Sequence, residues 1–264
     1  MSHNKHFSRK DFLNISSLFL SLPLLGFAKN ALKTFVPPPI LWHGDIHLPY
    51  ISLTFDDCYV YSYLRKLEDI LDQFPRIKVT FFPTGTAITN TEKQDQGFWN
   101  RIIEKGHEIG YHGYNHQYPS KLSNTEMLAD FDKWIESATD ALGRKPQVRF
   151  ARPPYGDLSI SFQNLCMKRN LVVAMWSTYW GGNPEEAHQS IDKMQSGDIA
   201  LFHIDYWDIE NAEYAFPMIT EKSLHAVTLS SLYFFSTFPL DNGLNQSGPK
   251  LPFTTICLDG KCLR

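Results

Sequence analysis

The chain lacks the features that mark several protein classes. It carries four cysteines in 264 residues, too few and too scattered for a disulfide scaffold or a zinc ribbon. It has no long run of Lys and Arg, and its formal net charge is −3. That argues against a nucleic-acid binder held by phosphate contacts. The apolar run Ile15–Ala28 falls short of the ~20 residues of a membrane span. What is present is a core-forming composition: 43% hydrophobic and 14% aromatic residues, with both charge signs among the 20% charged. This excludes a disordered chain. The length suits one large domain or two small ones.

The N-terminus reads as an address. Lys5, Arg9 and Lys10 precede the apolar run, and Gly26-Phe27-Ala28 is a small-x-small cleavage pattern. Residues 1–28 are therefore expected to be a signal peptide. Ser8-Arg9-Lys10-Asp11-Phe12-Leu13 is also similar to a twin-arginine signal with Lys in the second basic slot, which leaves twin-arginine and general export both open. Either route predicts an exported protein, periplasmic or extracellular, with no membrane span after cleavage. Residues 29–49, with Pro37-Pro38-Pro39, read as an extended lead-in.

From Tyr50 onward, strand and helix signals alternate. Strands are predicted at Tyr50–Phe55, Lys78–Phe82, Glu108–Tyr111, Val148–Ala151, Leu171–Trp176, Ile199–His203 and His225–Thr228. The clearest helix starts at the capping box Ser123-Asn124-Thr125-Glu126, carries Leu128, Phe131, Ile135, Ala138 and Leu142 as its stripe, and stops at Gly143. Helices are also predicted over 158–169 and 209–222, while the polar stretch Thr89–Gln96 gives no readable pattern. Seven strand–helix units over 50–236 predict an α/β fold, a distorted (β/α)7-type barrel. Sites in such folds gather at the C-terminal strand ends.

Chemistry-bearing residues sit at those ends. The first strand ends in Thr54-Phe55-Asp56-Asp57 and the third runs into His112-Gly113-Tyr114-Asn115-His116. A carboxylate and two neutral imidazoles make a three-ligand set that leaves room for water on a catalytic zinc. The fourth ends in Arg152-Pro153-Pro154-Tyr155-Gly156, where two prolines fix the loop, and the sixth ends in Leu201-Phe202-His203. Each piece alone has an ordinary structural explanation.

Taken in order, these motifs resemble the polysaccharide deacetylase family (carbohydrate esterase family 4, with the NodB-type homology domain). The resemblance covers about 50–236 and also takes in Thr80-Phe81-Phe82 with Gly85 and the Trp176–Trp180 strand end. It implies a metal-dependent hydrolase acting on an acetylated polysaccharide. Asp57, His112 and His116 would hold a divalent metal, with zinc the expected ion. Asp56 would be the general base and His203 the general acid. Arg152 would hold Asp56 by a charge-assisted pair, and the Tyr155 N–H would face the oxyanion. Trp180 and Leu201 would line the pocket for the acetyl methyl.

Several positions depart from the family pattern. Cys58 stands where Gly is usual, and Gly113 stands where Ser or Thr is usual. The segment Trp176-Ser177-Thr178-Tyr179-Trp180 lacks the Asp that commonly pairs with the catalytic His. The absence implies a weaker acid step or a substitute partner such as Asp205. Past the family pattern, residues 237–264 form a tail. In it Asp259-Gly260 signals a hairpin that sets Cys257 opposite Cys262, within reach of a disulfide. Two other readings stay open: an amidase or esterase on another acylated substrate such as O-acetyl sugars, and a catalytically weakened carbohydrate-binding homologue. The sequence does not give the oligomeric state.

Overall fold

The computed structural model describes residues 37–237 and the two short strands at 256–258 and 261–263. The predicted signal peptide and residues 29–36 of the lead-in lie outside the described residues.

Every strand pairing within 37–237 is parallel. The larger sheet runs β4 (Glu108–Ile109), β3 (Val79–Pro83), β2 (Tyr50–Asp57), β8 (Ile199–His203), β7 (Thr178–Tyr179), with β9 (His225–Ala226) beside the start of β2. A second sheet runs β1 (Ile40–Leu41), β6 (Val172–Ala174), β5 (Phe150–Ala151). A bridge between Tyr111 and Ala151 links the two. Among the described residues, eight helices connect the strands: α1 Tyr61–Gln73, α2 Gly85–Gln94, α3 Phe98–Glu104, α4 Asn124–Leu142, α5 Ile160–Arg169, α6 Pro184–Asp192, α7 Tyr206–Glu221 and α8 Leu229–Thr237. This is the α/β fold of the distorted (β/α)7-barrel type.

The seven predicted strands are present, mostly shorter than expected. Three elements escape the sequence pattern. β1 comes from the stretch read as a lead-in linker, and its Ile40 pairs with Val173. β7 has only two residues, too few for a periodic signal. α2 covers most of the unreadable polar stretch; Thr84 caps it, accepting from the Ala87 N–H. In α4 the capping box and the left-handed Gly143 stand as predicted, but Met127 and Trp134 are buried where Leu128 and Ile135 were expected.

Strand alternation separates the core from the site. In β2 and β8, Phe55 pairs with Phe202 and their rings stack at 4.9 Å. They belong to the main core between sheet and helices, with Trp99 and Trp134. The intervening residues Thr54 and Asp56 pair with Leu201 and His203 and so project to the opposite face. A smaller cluster, including Phe82, Phe150, Ile199 and Leu229, fills the rest of that side.

In the tail, β10 (Ile256–Leu258) and β11 (Lys261–Leu263) pair antiparallel with Cys257 opposite Cys262. The hairpin register matches the expectation; the side chains of that pair, and with them the disulfide, lie outside the described residues.

Candidate active site

The site begins where β2 ends. Asp57 and Cys58 adopt φ values of 67° and 62°, a left-handed conformation that costs non-glycine residues about 1 kcal/mol or more. The turn swings the Asp57 carboxylate away from that of Asp56, so that two adjacent acids take different neighbours. Cys58 is fully buried, and burial pushes its thiol well above the ordinary range. It is a small core residue, not a nucleophile.

Asp56 is almost wholly buried, and Arg152 Nη1 lies 2.8 Å from its Oδ1. The same nitrogen donates to Thr54 Oγ1 at 2.7 Å, while Nε and Nη2 donate to the carbonyls of Ala174 and Met175. Arg152 is thus held on all sides, with its guanidinium 4.4 Å over the Phe82 ring. This leaves Asp56 Oδ2, 3.7 Å from His112 Nε2, as the oxygen free for chemistry.

The two histidines come from the loop after β4. Gly113 lies at φ 78° and His116 at φ 55°, so the chain curls between them like an irregular helical turn. Asp130 of α4 pins this curl, accepting from the Tyr114 N–H at 2.8 Å and from the Tyr111 hydroxyl. A Cβ at Gly113 would stand 3.2 Å from Pro154 Cγ in a left-handed conformation. Gly113→Ala is therefore expected to destabilise the fold by about 1–2 kcal/mol, read as a lowered melting temperature.

Asp57 Oδ1 lies 3.0 Å from His116 Nε2 and 3.4 Å from His112 Nε2. It is buried without a hydrogen-bond donor. His112 Nδ1 lies 2.9 Å from the Arg152 carbonyl; a carbonyl only accepts, so Nδ1 carries the proton and Nε2 presents a lone pair. Three ligand atoms, one from each residue, fall within 4.8 Å of one another. Lone pairs converging on one point fit a divalent cation. Burial pushes the Asp57 carboxyl up, but the imidazoles of His112 and His116 pull it well below the usual carboxylate range.

His203 stands across the site, in register with Asp56. Its carboxylate partner is Asp208, whose Oδ2 is 3.5 Å from His203 Nδ1. Asp208 is fully buried and also accepts from the backbone N–H groups of His203 and Gly182. The expected substitute, Asp205, does something else: its side chain caps α7, accepting from the Asp208 N–H at 3.0 Å. The helix starts at Tyr206, three residues earlier than its apolar pattern indicates, and that places Asp208 in its first turn beneath His203. Burial lowers the His203 imidazole, but Asp208, Asp56 and Asp57 outweigh it and raise it above the ordinary value.

Leu201 lies on the site face, but Trp180 does not join it. Trp180 is fully buried and packs edge-on to Phe202 at 5.9 Å, within the helix-facing core. The reason is register: β7 sets Tyr179 opposite Leu201, so the next residue turns to the other face. The aromatic ring beside His203 is that of Tyr179, edge-on at 6.1 Å. Tyr155 sits at φ 60° in the turn after β5, its ring 4.4 Å from that of His116. Both Tyr179 and Asp208 were missed in the sequence, and both follow from strand and helix register.

Residues 44–172 match the family model described as polysaccharide deacetylase. The chain is 26% identical over 206 residues to an uncharacterised protein of Bacillus subtilis, covering 76% of this chain and 62% of that protein. It is 27% identical over 200 residues to a peptidoglycan-N-acetylglucosamine deacetylase of Bacillus cereus, covering 72% and 70% of the two chains. In fold it is similar to a CE4 family pseudoenzyme from Bacillus anthracis, with a TM-score of 0.65 at 21% identity over 75% of this chain and 69% of the other.

Proposed function

We propose that this chain, whose residues 44–172 match the polysaccharide deacetylase family model, hydrolyses N-acetyl groups on a cell-wall or extracellular polysaccharide of the N-acetylglucosamine type. One observation carries the reading: the three-ligand cluster of Asp57, His112 and His116 lies beside an Arg-held Asp56, with His203 across from it. Asp57, His112 and His116 would hold a divalent metal, zinc by the donor set, which when bound would supply an activated water at neutral pH and Lewis-acid polarisation of the acyl carbonyl.

The remaining work falls to this chain's own groups. Asp56 accepts the proton of the attacking water on Oδ2, since Arg152 occupies Oδ1. The Tyr155 N–H faces the developing oxyanion. His203, whose protonated form Asp208 favours, gives a proton to the leaving amine of the sugar. Leu201 and Tyr179 flank the acyl group on the His203 side.

The Bacillus cereus relative is named for peptidoglycan, and a relative in Cryptococcus neoformans is named chitin deacetylase. Among the described residues no helix is long and apolar enough to cross a membrane. A wall polymer and the basic-then-apolar N-terminus together support export. The test is acetate release from peptidoglycan and from acetylated chito-oligosaccharides by the metal-loaded chain. Release from either supports the reading. Release only from O-acetylated sugars replaces it with an esterase, and release from none, with sugar still bound, replaces it with a binding homologue.

A further inference from the structure

One buried amide ties α7 to the turn that follows β7. α7 carries Asp208 and Asn211 on one face, and both are fully buried. Asp208 Oδ1 accepts from the Gly182 N–H at 2.5 Å, and Asn211 Nδ2 donates to the Gly182 carbonyl at 3.0 Å. The helix therefore grips Gly182 by both of its backbone groups. Asn211 Oδ1 accepts no hydrogen bond among the described residues, so the Gly182 carbonyl is the one hydrogen-bond partner of this amide there. Burying an amide is costly unless it is paired. Ile209, Ala212, Ala215 and Phe216 make up the rest of the buried face with Ile219, so packing alone does not call for a polar side chain at position 211.

The turn that Asn211 holds supports two neighbours of His203. Gly182 stands at φ 75°, and the Tyr179 ring lies over it: a Cβ there would come 3.4 Å from the phenol oxygen. Tyr179 is edge-on to His203 at 6.1 Å, and Asp208 Oδ2 lies 3.5 Å from His203 Nδ1. Asp208 spans two elements, accepting from the N–H of Gly182 after β7 and from that of His203 at the end of β8. A carboxylate with an oxygen on each of two fixed N–H groups has one orientation, and it keeps that orientation only while both groups stay put. Asp205 fixes the main chain of Asp208 through its N–H. We infer that Asn211 is a positioning residue for the acid step: by anchoring the Gly182 turn it holds Asp208 and Tyr179 against His203. The inference rests on the proposed deacetylase reading and adds to it a residue two contacts away from the general acid.

The test uses the zinc-loaded full chain. Asn211→Leu is similar in shape and removes the amide. It is expected to lower kcat on acetylated chito-oligosaccharide about tenfold, with KM and zinc affinity unchanged. The midpoint of the His203 titration, followed by NMR of its imidazole, should move to lower pH, because a loosened Asp208 opposes burial less. Asp56, Asp57, Asp205 and Tyr179 also face or neighbour this imidazole, and all four remain in the variant. In an Asp208→Asn background, Asn211→Leu should change neither kcat nor the midpoint further, since residues that act through one another are not additive. Asn211→Ser also loses the reach to Gly182. It should give the same pattern, and it carries the test if the leucine variant does not fold. An unmoved His203 midpoint, or equal losses of kcat in both backgrounds, overturns the inference and leaves deacetylation intact. A midpoint that moves with Asn211→Leu in a chain whose parent releases no acetate overturns the deacetylase reading and keeps the anchoring role.

Discussion

Asp56→Asn is expected to lower kcat by about 10³-fold while metal uptake persists. General-base catalysis contributes on the order of 10²–10⁴, and among the described carboxylates beside the metal cluster Asp56 is the one left uncommitted as a ligand. The substitution keeps the shape and an oxygen for Arg152 Nη1, now 2.8 Å from Asp56 Oδ1, but the amide cannot take a proton. The guanidinium stays buried with the Thr54 hydroxyl and two carbonyls as further acceptors. The lost charge should still cost on the order of 3 kcal/mol in stability. Folding is checked by thermal unfolding and metal content by binding titration. A variant that binds metal and keeps parental kcat removes Asp56 from the mechanism.

Asp208→Asn is expected to move the alkaline limb of the kcat profile to lower pH. The sign follows from the balance at His203: burial lowers the imidazole, and Asp208 with the two site carboxylates raises it above its ordinary value. Removing the Asp208 carboxylate lets burial act with less opposition, so the proton leaves at lower pH. At alkaline pH, kcat then falls about tenfold for every pH step of one by which the limb has moved. Asp56, Asp57, Asp205 and Tyr179 also face or neighbour this imidazole, and the substitution leaves all four in place.

Gly181→Ala gives an independent route to the same result. A Cβ at Gly181 would overlap the Asp208 carboxylate, so alanine should displace it and shift the limb in the same direction. Asp205→Asn should leave the limb in place, because Asp205 caps α7 and Asn is an equally good N-cap. A limb that moves with Asp205 and not with Asp208 contradicts the geometry.

These cases show what the sequence discloses. Asp56, Asp57, His112, His116, Arg152 and His203 are legible because each is fixed by its place at the end of a strand in a short, ordered motif. The α/β alternation is legible for the same local reason. Asp208 is not, because its role depends on where α7 begins. A polar N-cap at Asp205 sets that start before the apolar periodicity of the helix does. Trp180 is misplaced by one step of strand alternation, which a two-residue strand cannot reveal without its partner's register. Gly113 reads as a lost hydroxyl, whereas the structure gives it a left-handed φ and hands the loop to Asp130, a residue on a distant helix. For Trp180 and Gly113 the missing information is a contact with another element; for Asp208 it is the local cap that starts α7.

The central claim is that Asp57, His112 and His116 hold the metal on which hydrolysis depends. Its most direct test is acetate release from acetylated chito-oligosaccharide by the chain stripped with a chelator, then titrated with zinc, beside His116→Ala. The account predicts loss of release on stripping, recovery as one zinc per chain is bound, and neither tight zinc binding nor recovery in the variant. Undiminished release from the stripped chain contradicts it.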